Sequence, residues 1–236
     1  MQAVVLAGGT GTRLRPYTTV IPKPLMPVGD MPIIEIVLRQ LKSGGFDRII
    51  LATGYLGSLF RAFFEDGRRL GLEIHYSLED RPLGTAGPIA LNLDRLDDDV
   101  LVMNGDLLTT LDYRAMFDYH KSQAAAATIG VYSREVKIDF GVIECADDQL
   151  SRYIEKPTFR YDVSMGVNVL NVPTIKRFLQ KDRQFDLPEL MTSLRDSRQK
   201  VMCYREECYW LDIGRIDDYQ TANEIFERRR DEFLRP

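Results

Sequence analysis

AVVLAGGTGTRLRPYTTVIPKPLMPV, residues 3–28, begins with five apolar residues, breaks into three glycines and then sets four prolines around a lone lysine. A run such as Ala3–Ala7 predicts a short strand covered on both faces, the habit of a parallel sheet. In open α/β sheets ligands sit beyond the carboxyl ends of the strands, so the loop that follows is the first place to look for a site. Gly8, Gly9 and Gly11 let backbone N–H groups approach an anion closely. The dinucleotide-binding pattern needs a third glycine and a helix directly behind the loop. Here Leu14 stands where that glycine belongs, and Pro16, Pro22, Pro24 and Pro27 forbid a long helix. A P-loop fails as well, because no Gly-Lys-Ser/Thr end is present.

The glycines alone are equally those of an ordinary tight turn. Arg13 and Lys23 sharpen the reading, since several phosphate charges are poorly neutralised by backbone dipoles alone. Arg13 offers a planar fork for phosphate oxygens and Lys23 a compact point charge. Pro22 and Pro24 bracket Lys23 and limit the entropy lost when its ammonium is held against a ligand. Arg15 reads as a solvated neighbour.

Outward from this stretch, RIILATGY (48–55), LEIHYSL (72–78) and DVLVMNGDL (99–107) read as further strands, with helices over 33–41, stopping at Gly44-Gly45, and over 58–65. Strand alternating with helix predicts an α/β fold with a largely parallel sheet. After residue 124 the texture changes to short strands, ATIGVYS, FGVIECA, LSRYIEKP and MGVNVLNV, then helices near 173–181 and 186–196. No linker divides the halves, so residues 1–236 are expected to form a single domain with lobes 1–123 and 124–225 and a helical tail 226–236, its basic run a solvated face.

Composition narrows the class. The 236 residues carry 31 Lys+Arg against 35 Asp+Glu, net −4, which gives no footprint for nucleic acid or an anionic membrane. Cys145, Cys203 and Cys208 are odd in number and read as reduced, core or near-core thiols. His75 and His120 have no zinc spacing. The first apolar run is too short and lacks the basic leader of a signal peptide, and no stretch has the roughly 20 apolar residues of a transmembrane helix, so a cytoplasmic protein is expected.

Four further constellations carry candidate chemistry. VLVMNGDLL (100–108) ends a buried strand on Asn104-Gly105-Asp106, where one carboxylate could take Mg²⁺ together with phosphate oxygens, or simply sit in a turn. YWLDIG (209–214) repeats the arrangement at Asp212, and two such carboxylates could share one metal. IEKP (154–157) sets Lys156 before a proline as Lys23 is set, which is also an ordinary strand end. In LEDRPLGTAGPIAL (78–91), the small residues Gly84 to Gly87 would let a flat base lie against backbone N–H and C=O groups, or serve only as a helix start.

Taken together and in this order, LAGGTGTRLRPYTTVIPKPLMPV, PLGTAGP, NGD, FGVIE, EKP and WLDIG resemble the sugar-1-phosphate nucleotidylyltransferases, the NDP-sugar pyrophosphorylases, to about residue 225. The resemblance implies a Rossmann-like α/β/α nucleotidyltransferase (GT-A-like) fold with a central mixed, mainly parallel sheet. It implies a reaction of a nucleoside triphosphate with a sugar 1-phosphate, giving a nucleotide-sugar and pyrophosphate with Mg²⁺. By the same resemblance Leu6, Ala7, Gly8, Gly9, Gly11, Thr12 and Arg13 match the nucleotide-binding loop, with Gly84 and Thr85 near the base. Arg13 and Lys23 are the catalytic cations, and Asp106 and Asp212 the metal ligands. Asn104, Gly141, Glu155, Lys156 and Asn168 match the sugar-phosphate side, so the first lobe is expected to bind nucleotide and the second the sugar phosphate.

One departure stands beside the expected sugar position. Where relatives have NAGIYV this chain has SMGVNV, placing Ser164, Met165 and Asn168 at the changed positions. The PLGTAG form is most like guanylyltransferases acting on mannose-type 1-phosphates, so GTP with a hexose or heptose 1-phosphate is expected, with dTTP or UTP and glucose 1-phosphate as the alternative. A catalytically silent nucleotide-sugar-binding subunit would lack the phosphate lysine or a metal aspartate, and all three are present. The sequence leads to the expectation of a stand-alone transferase domain, with assembly into a homo-oligomer left open.

Overall fold

Alternation in the first strand sets the layers. Ala3 and Val5 pack into one core, Val4 into another, and all three are fully buried. A strand covered on both faces is apolar at every position, which is why the run shows no polar alternation. The computed structural model describes residues 1–9, 11–54 and 56–234.

In chain order the strands are β1 (Gln2–Leu6), β2 (Pro27–Val28), β3 (Met31–Pro32), β4 (Arg48–Thr53), β5 (Glu73–Leu78), β6 (Asp99–Asn104), β7 (Leu107–Thr109), β8 (Ala127–Lys137), β9 (Val142–Ala146), β10 (Gln149–Ile154), β11 (Thr158–Asn171), β12 (Val201–Arg205) and β13 (Trp210–Asp212). The helices are α1 (Ile33–Ser43), α2 (Gly57–Phe64), α3 (Gly87–Leu91), α4 (Tyr113–Ser122), α5 (Val172–Ile175), α6 (Leu187–Asp196), α7 (Ile216–Arg228) and α8 (Arg230–Phe233).

One seven-stranded sheet, in the order β12-β8-β11-β6-β1-β4-β5, runs through both halves of the chain. Every neighbouring pair is parallel except the two made by β11, which is antiparallel to β6 and β8. The fold is thus α/β with a mixed, mainly parallel sheet. Helices α1, α2 and α4 bury their apolar faces on one side, and α3, α5 and α6 on the other. Among the described residues between β1 and β2, the proline-rich segment forms three short 3-10 turns, at Thr12–Leu14, Tyr17–Thr19 and Lys23–Leu25.

Several expectations shift. The DVLVMNGDL run breaks at Asn104 and resumes as β7, and β8 and β11 are longer than the reading of their apolar centres because their outer halves are largely exposed strand. Helix α4 went unread; its N-cap is Asp112, whose side chain accepts from the Ala115 N–H. The cysteine reading is corrected: Cys145 and Cys203 are exposed and Cys208 is half-buried. Cys145 lies on the two-stranded β9–β10 ribbon and Cys203 on the edge strand β12.

The terminal segment is less solvated than its basic run suggests. Phe226 and Phe233 are fully buried in a third core with Leu14, Met26, Ile33, Leu108 and Ile213, while Glu227 and Arg228 remain outside. This packing fastens the chain's end to the first loop. Among the described residues no helix is long and apolar enough to cross a membrane.

Candidate active site

The loop after β1 owes its shape to a steric requirement. Gly11 has φ +60°, and a Cβ there would lie 3.2 Å from the Lys23 Cβ and 3.0 Å from a Thr18 methyl. Only glycine fits both the backbone and the space. The Thr18 hydroxyl donates to the Gly11 carbonyl at 2.8 Å, closing the loop over the lysine. Gly9 is open to solvent with nothing near its Cα face, and Thr12 and Arg13 are exposed beside it.

Lys23, held between Pro22 and Pro24, is only 8% exposed. Its ammonium lies 2.5 Å from Asp106 Oδ2 and 3.6 Å from Asp212 Oδ1. The two aspartates are 106 positions apart in sequence, and a backbone ladder joins them. Strand β7 pairs antiparallel with β13, with Asp212 opposite Leu107, the residue after Asp106. The Gly105 N–H donates to the Leu6 carbonyl at 2.9 Å, which pins this turn to the end of β1. Burial pushes the Asp106 carboxyl above the usual range, Lys23 pulls it back down, and Asp212 opposes Lys23.

Arg13 approaches the segment that follows Asp212. Its guanidinium lies against Gly214 of WLDIG, within ordinary contact distance of where a Cβ would sit. Among the described residues neither Arg13 nor Arg15 has an acidic partner. A buried cation, two carboxylates and a free guanidinium therefore meet at the carboxyl end of β1 and β6.

Beside this cluster lies a cavity of about 480 Å³ whose wall includes Thr85, Asn104, Asn168, Asp212, Met165 and Trp210. The indole N–H of Trp210 donates to the Met165 carbonyl at 2.9 Å and fixes that wall. Gly166, at φ +73°, leaves room for Asn104, whose Nδ2 would be 2.6 Å from any Cβ there. Asn168 is 4% exposed, yet among the described residues neither its amide nor that of Asn104 makes a protein hydrogen bond. Among the described residues neither amide is shut off from the cavity, so both can bond water or a ligand.

The remaining sequence candidates are distributed unevenly. Thr85 is drawn into the fold: its N–H and hydroxyl donate to Asp186 Oδ1 at 2.8 and 3.1 Å, and its hydroxyl accepts from the Leu187 N–H. Gly84, at φ +75°, has Phe185 and Asp186 against its open side. Gly141, Glu155 and Lys156 are not in the cavity wall. Glu155 and Lys156 are exposed where β10 gives way to β11, Lys156 at φ +44°, and the Tyr153 ring covers Gly141.

A profile of the family described as nucleotidyl transferase matches residues 2–229. The chain belongs to that family. It is 34% identical over 226 residues to the mannose-1-phosphate guanylyltransferase of Mycobacterium tuberculosis, covering 93% of this chain and 62% of that one. It is 31% identical over 241 residues to the UTP–glucose-1-phosphate uridylyltransferase of Synechocystis, covering 94% and 62%. The chain thus spans just under two thirds of these relatives' length.

Among solved nucleotidyl transferase folds it is similar to a Bacillus anthracis protein described as a glucose-1-phosphate thymidylyltransferase, crystallised with sucrose, at TM-score 0.77, 25% identity and 95% of both chains. It is likewise similar to HddC from Yersinia pseudotuberculosis complexed with GMP-PN, at TM-score 0.73 and 25% identity, covering 95% of this chain and 99% of that one.

One acidic group at this sheet edge escaped sequence reasoning. Glu79 directly follows β5, and its Oε1 lies 3.1 Å from where a Gly8 Cβ would sit. The available signal was an acid ending a strand at the same sheet edge as the glycine loop.

Proposed function

We propose that the chain transfers a nucleotidyl group from a nucleoside triphosphate to a sugar 1-phosphate, releasing pyrophosphate. The observation that carries this reading is Lys23, buried between Asp106 and Asp212 beneath the glycine loop. The nucleophile is a sugar-phosphate oxygen, already ionised near neutrality because a phosphate monoester's second pKa is about 6. It attacks the α-phosphorus in line, the bond to the bridging oxygen breaks, and pyrophosphate carries that electron pair away. No general base is required, in keeping with His75 and His120 lying against Arg95 and Thr128, outside this cluster. Arg13 and Lys23 orient and neutralise the phosphates.

Two hard carboxylate oxygens converging on one ammonium mark a place where positive charge is stabilised, and they suit Mg²⁺, which takes one or two carboxylates together with phosphate oxygens and water. Among the described residues no three His, Cys, Asp or Glu side chains are grouped to hold a metal by themselves, so the remaining ligands would come from substrate and water. Asp106 and Asp212 would hold the ion, which when bound supplies charge neutralisation on the phosphates.

The first lobe would bind the nucleotide through Leu6 to Arg13 and the 84–85 loop, and the second the sugar phosphate through Asn104, Asn168, Gly141, Glu155 and Lys156, in the cytoplasm where triphosphates are made. GTP with a mannose-type hexose or heptose 1-phosphate is the favoured pair. The uridylyltransferase relative supports UTP with glucose 1-phosphate as the alternative. A grid of nucleoside triphosphates against sugar 1-phosphates with Mg²⁺, reading pyrophosphate release, tests the proposal. One productive pair is expected, whereas tight nucleotide-sugar binding with silence across the grid would make the chain a binding subunit.

A further inference from the structure

Asp186 stands at the N-cap of α6, where an aspartate ordinarily bonds the second or third N–H of its own helix. Here the second helical residue is Pro188, which has no N–H, and the Asp186 side chain caps nothing in α6. Its Oδ1 turns instead to the loop before α3, accepting from the Thr85 N–H at 2.8 Å and from the Thr85 hydroxyl at 3.1 Å. The Thr85 hydroxyl completes the exchange by accepting from the Leu187 N–H at 2.8 Å, so a residue 102 positions away caps α6. Two backbone bonds of 2.9 Å close the contact, Phe185 N–H to the Leu83 carbonyl and Ala86 N–H to the Phe185 carbonyl. A Cβ on Gly84 would lie 2.6 Å from the Phe185 carbonyl oxygen and 2.7 Å from Asp186 Oδ1, so only glycine lets the two segments come this close.

The two segments border different ligands. Leu187, Pro188 and Met191 of α6 line the 480 Å³ cavity together with Thr85, and residues 84–85 are the loop assigned to the nucleotide. We propose that Asp186 is a positioning residue for both substrates. Acting through Thr85, it holds the nucleotide loop and the cavity wall as one unit, so that breaking the exchange weakens nucleotide and sugar 1-phosphate binding together. The proposal rests on reading the cavity as the sugar-phosphate side and the 84–85 loop as the nucleotide side. Lys23, Asp106 and Asp212 are held by other segments, the first loop and the β7–β13 ladder, so the chemical step is expected to survive.

Asp186→Ala takes the acceptor from both Thr85 donors. KM should rise roughly fivefold or more for both substrates of the productive pair, with kcat kept within about threefold. Thr85→Val keeps the side chain's shape without the hydroxyl and should reproduce the joint rise, whereas Thr85→Ser keeps the hydroxyl and should stay within about twofold of the wild type. The Asp186→Ala/Thr85→Val double variant should be little worse than either single one, because both break the same exchange. A merely structural role would lower Tm and leave both KM values in place at temperatures where every variant is folded. A rise in one KM alone, Thr85→Ser as impaired as Thr85→Val, or additive losses in the double variant overturns the proposal, and the Thr85 pair decides it even where Asp186→Ala does not fold. Calorimetry with GDP and mannose 1-phosphate, and with UDP and glucose 1-phosphate, needs no turnover. Silence in the pyrophosphate assay with both dissociation constants raised in Thr85→Val would remove the proposed reaction and leave the role of Asp186 standing. Turnover with neither constant moved would do the reverse, and a wild type that binds none of the four probes overturns both.

Discussion

The two edges of the main sheet treat polar side chains in opposite ways. At the amino edge, where β1, β4 and β6 begin and β11 ends, the groups find each other. Gln2 donates to the Arg95 carbonyl at 2.9 Å and accepts from the Asp97 N–H at 2.7 Å, Arg48 pairs with Asp97, and Asn171 donates to Asp99 at 2.9 Å. At the carboxyl edge, Arg13, Asn104, Asn168 and one oxygen of Glu79 have no such partner among the described residues, and Lys23 is buried between two carboxylates. Both edges are built from the same strands. Polar groups that are satisfied hold the fold, and those left unsatisfied are open to water or a ligand.

The largest effect should come from the carboxyl edge. Lys23→Met removes the cation between Asp106 and Asp212, and kcat should fall at least tenfold, on the order of a hundredfold, by analogy with losing one preorganised charge partner. Pyrophosphate release reads it, and a near-normal kcat would break the comparison at its centre. A smaller effect is expected on the ribbon side. Lys156 is exposed and touches none of the cavity wall, so Lys156→Ala should raise KM for the sugar 1-phosphate about tenfold with kcat nearly kept and stability moved by no more than about 0.5 kcal/mol. An unchanged KM would restrict the sugar-phosphate site to the cavity.

The amino edge should respond in stability alone. Gln2 is 5% exposed, and Gln2→Ala leaves the Asp97 N–H and Arg95 carbonyl without partners, a loss of about 1–3 kcal/mol. For a chain of this size that lowers Tm by roughly 2–12 °C, with kcat unchanged per folded molecule. A loss of kcat without a change in Tm would mean that this edge also carries function.

Much of this was legible in residues 3–28, because glycine and proline act locally: the strand, the broken loop and the lysine held between two prolines follow from neighbours in sequence. The meeting of Asp106 with Asp212 was expected as a shared metal site and through the family resemblance, but the β7–β13 ladder that joins these distant segments was not legible. Sequence spacing could say only that each aspartate follows a strand. Glu79 stayed hidden for a different reason: an acid after a strand is common, and only the close approach of Gly8 shows where its oxygen points. The thiols were misjudged because an apolar neighbourhood in sequence does not tell an edge strand from a covered one.

One residue strains the comparison. His120 lies at the amino edge, 1% exposed, and its Nε2 is the buried side-chain nitrogen or oxygen without a hydrogen bond among the described residues. Its Nδ1 is 2.8 Å from the Thr128 hydroxyl, and Nε2 is 3.4 Å from Asp99 Oδ1, too oblique to bond yet near enough to attract a proton. Burial lowers its pKa and Asp99 opposes that with a weaker pull, so the neutral imidazole belongs to the folded state. The unfolded chain titrates this histidine near 6.5 and binds more protons than the folded one just below that pH. Stability contributed by His120 is therefore present above about pH 6.5 and lost as pH falls through that value toward the lower folded one. Tm measured from pH 7.5 to 5 should decline more steeply in the wild type than in His120→Gln, which can keep the Thr128 bond but cannot titrate. Equal slopes, or a wild type that gains on acidification, would mean that Asp99 outweighs burial and that this buried nitrogen is already paired as an ion, like its neighbours at that edge.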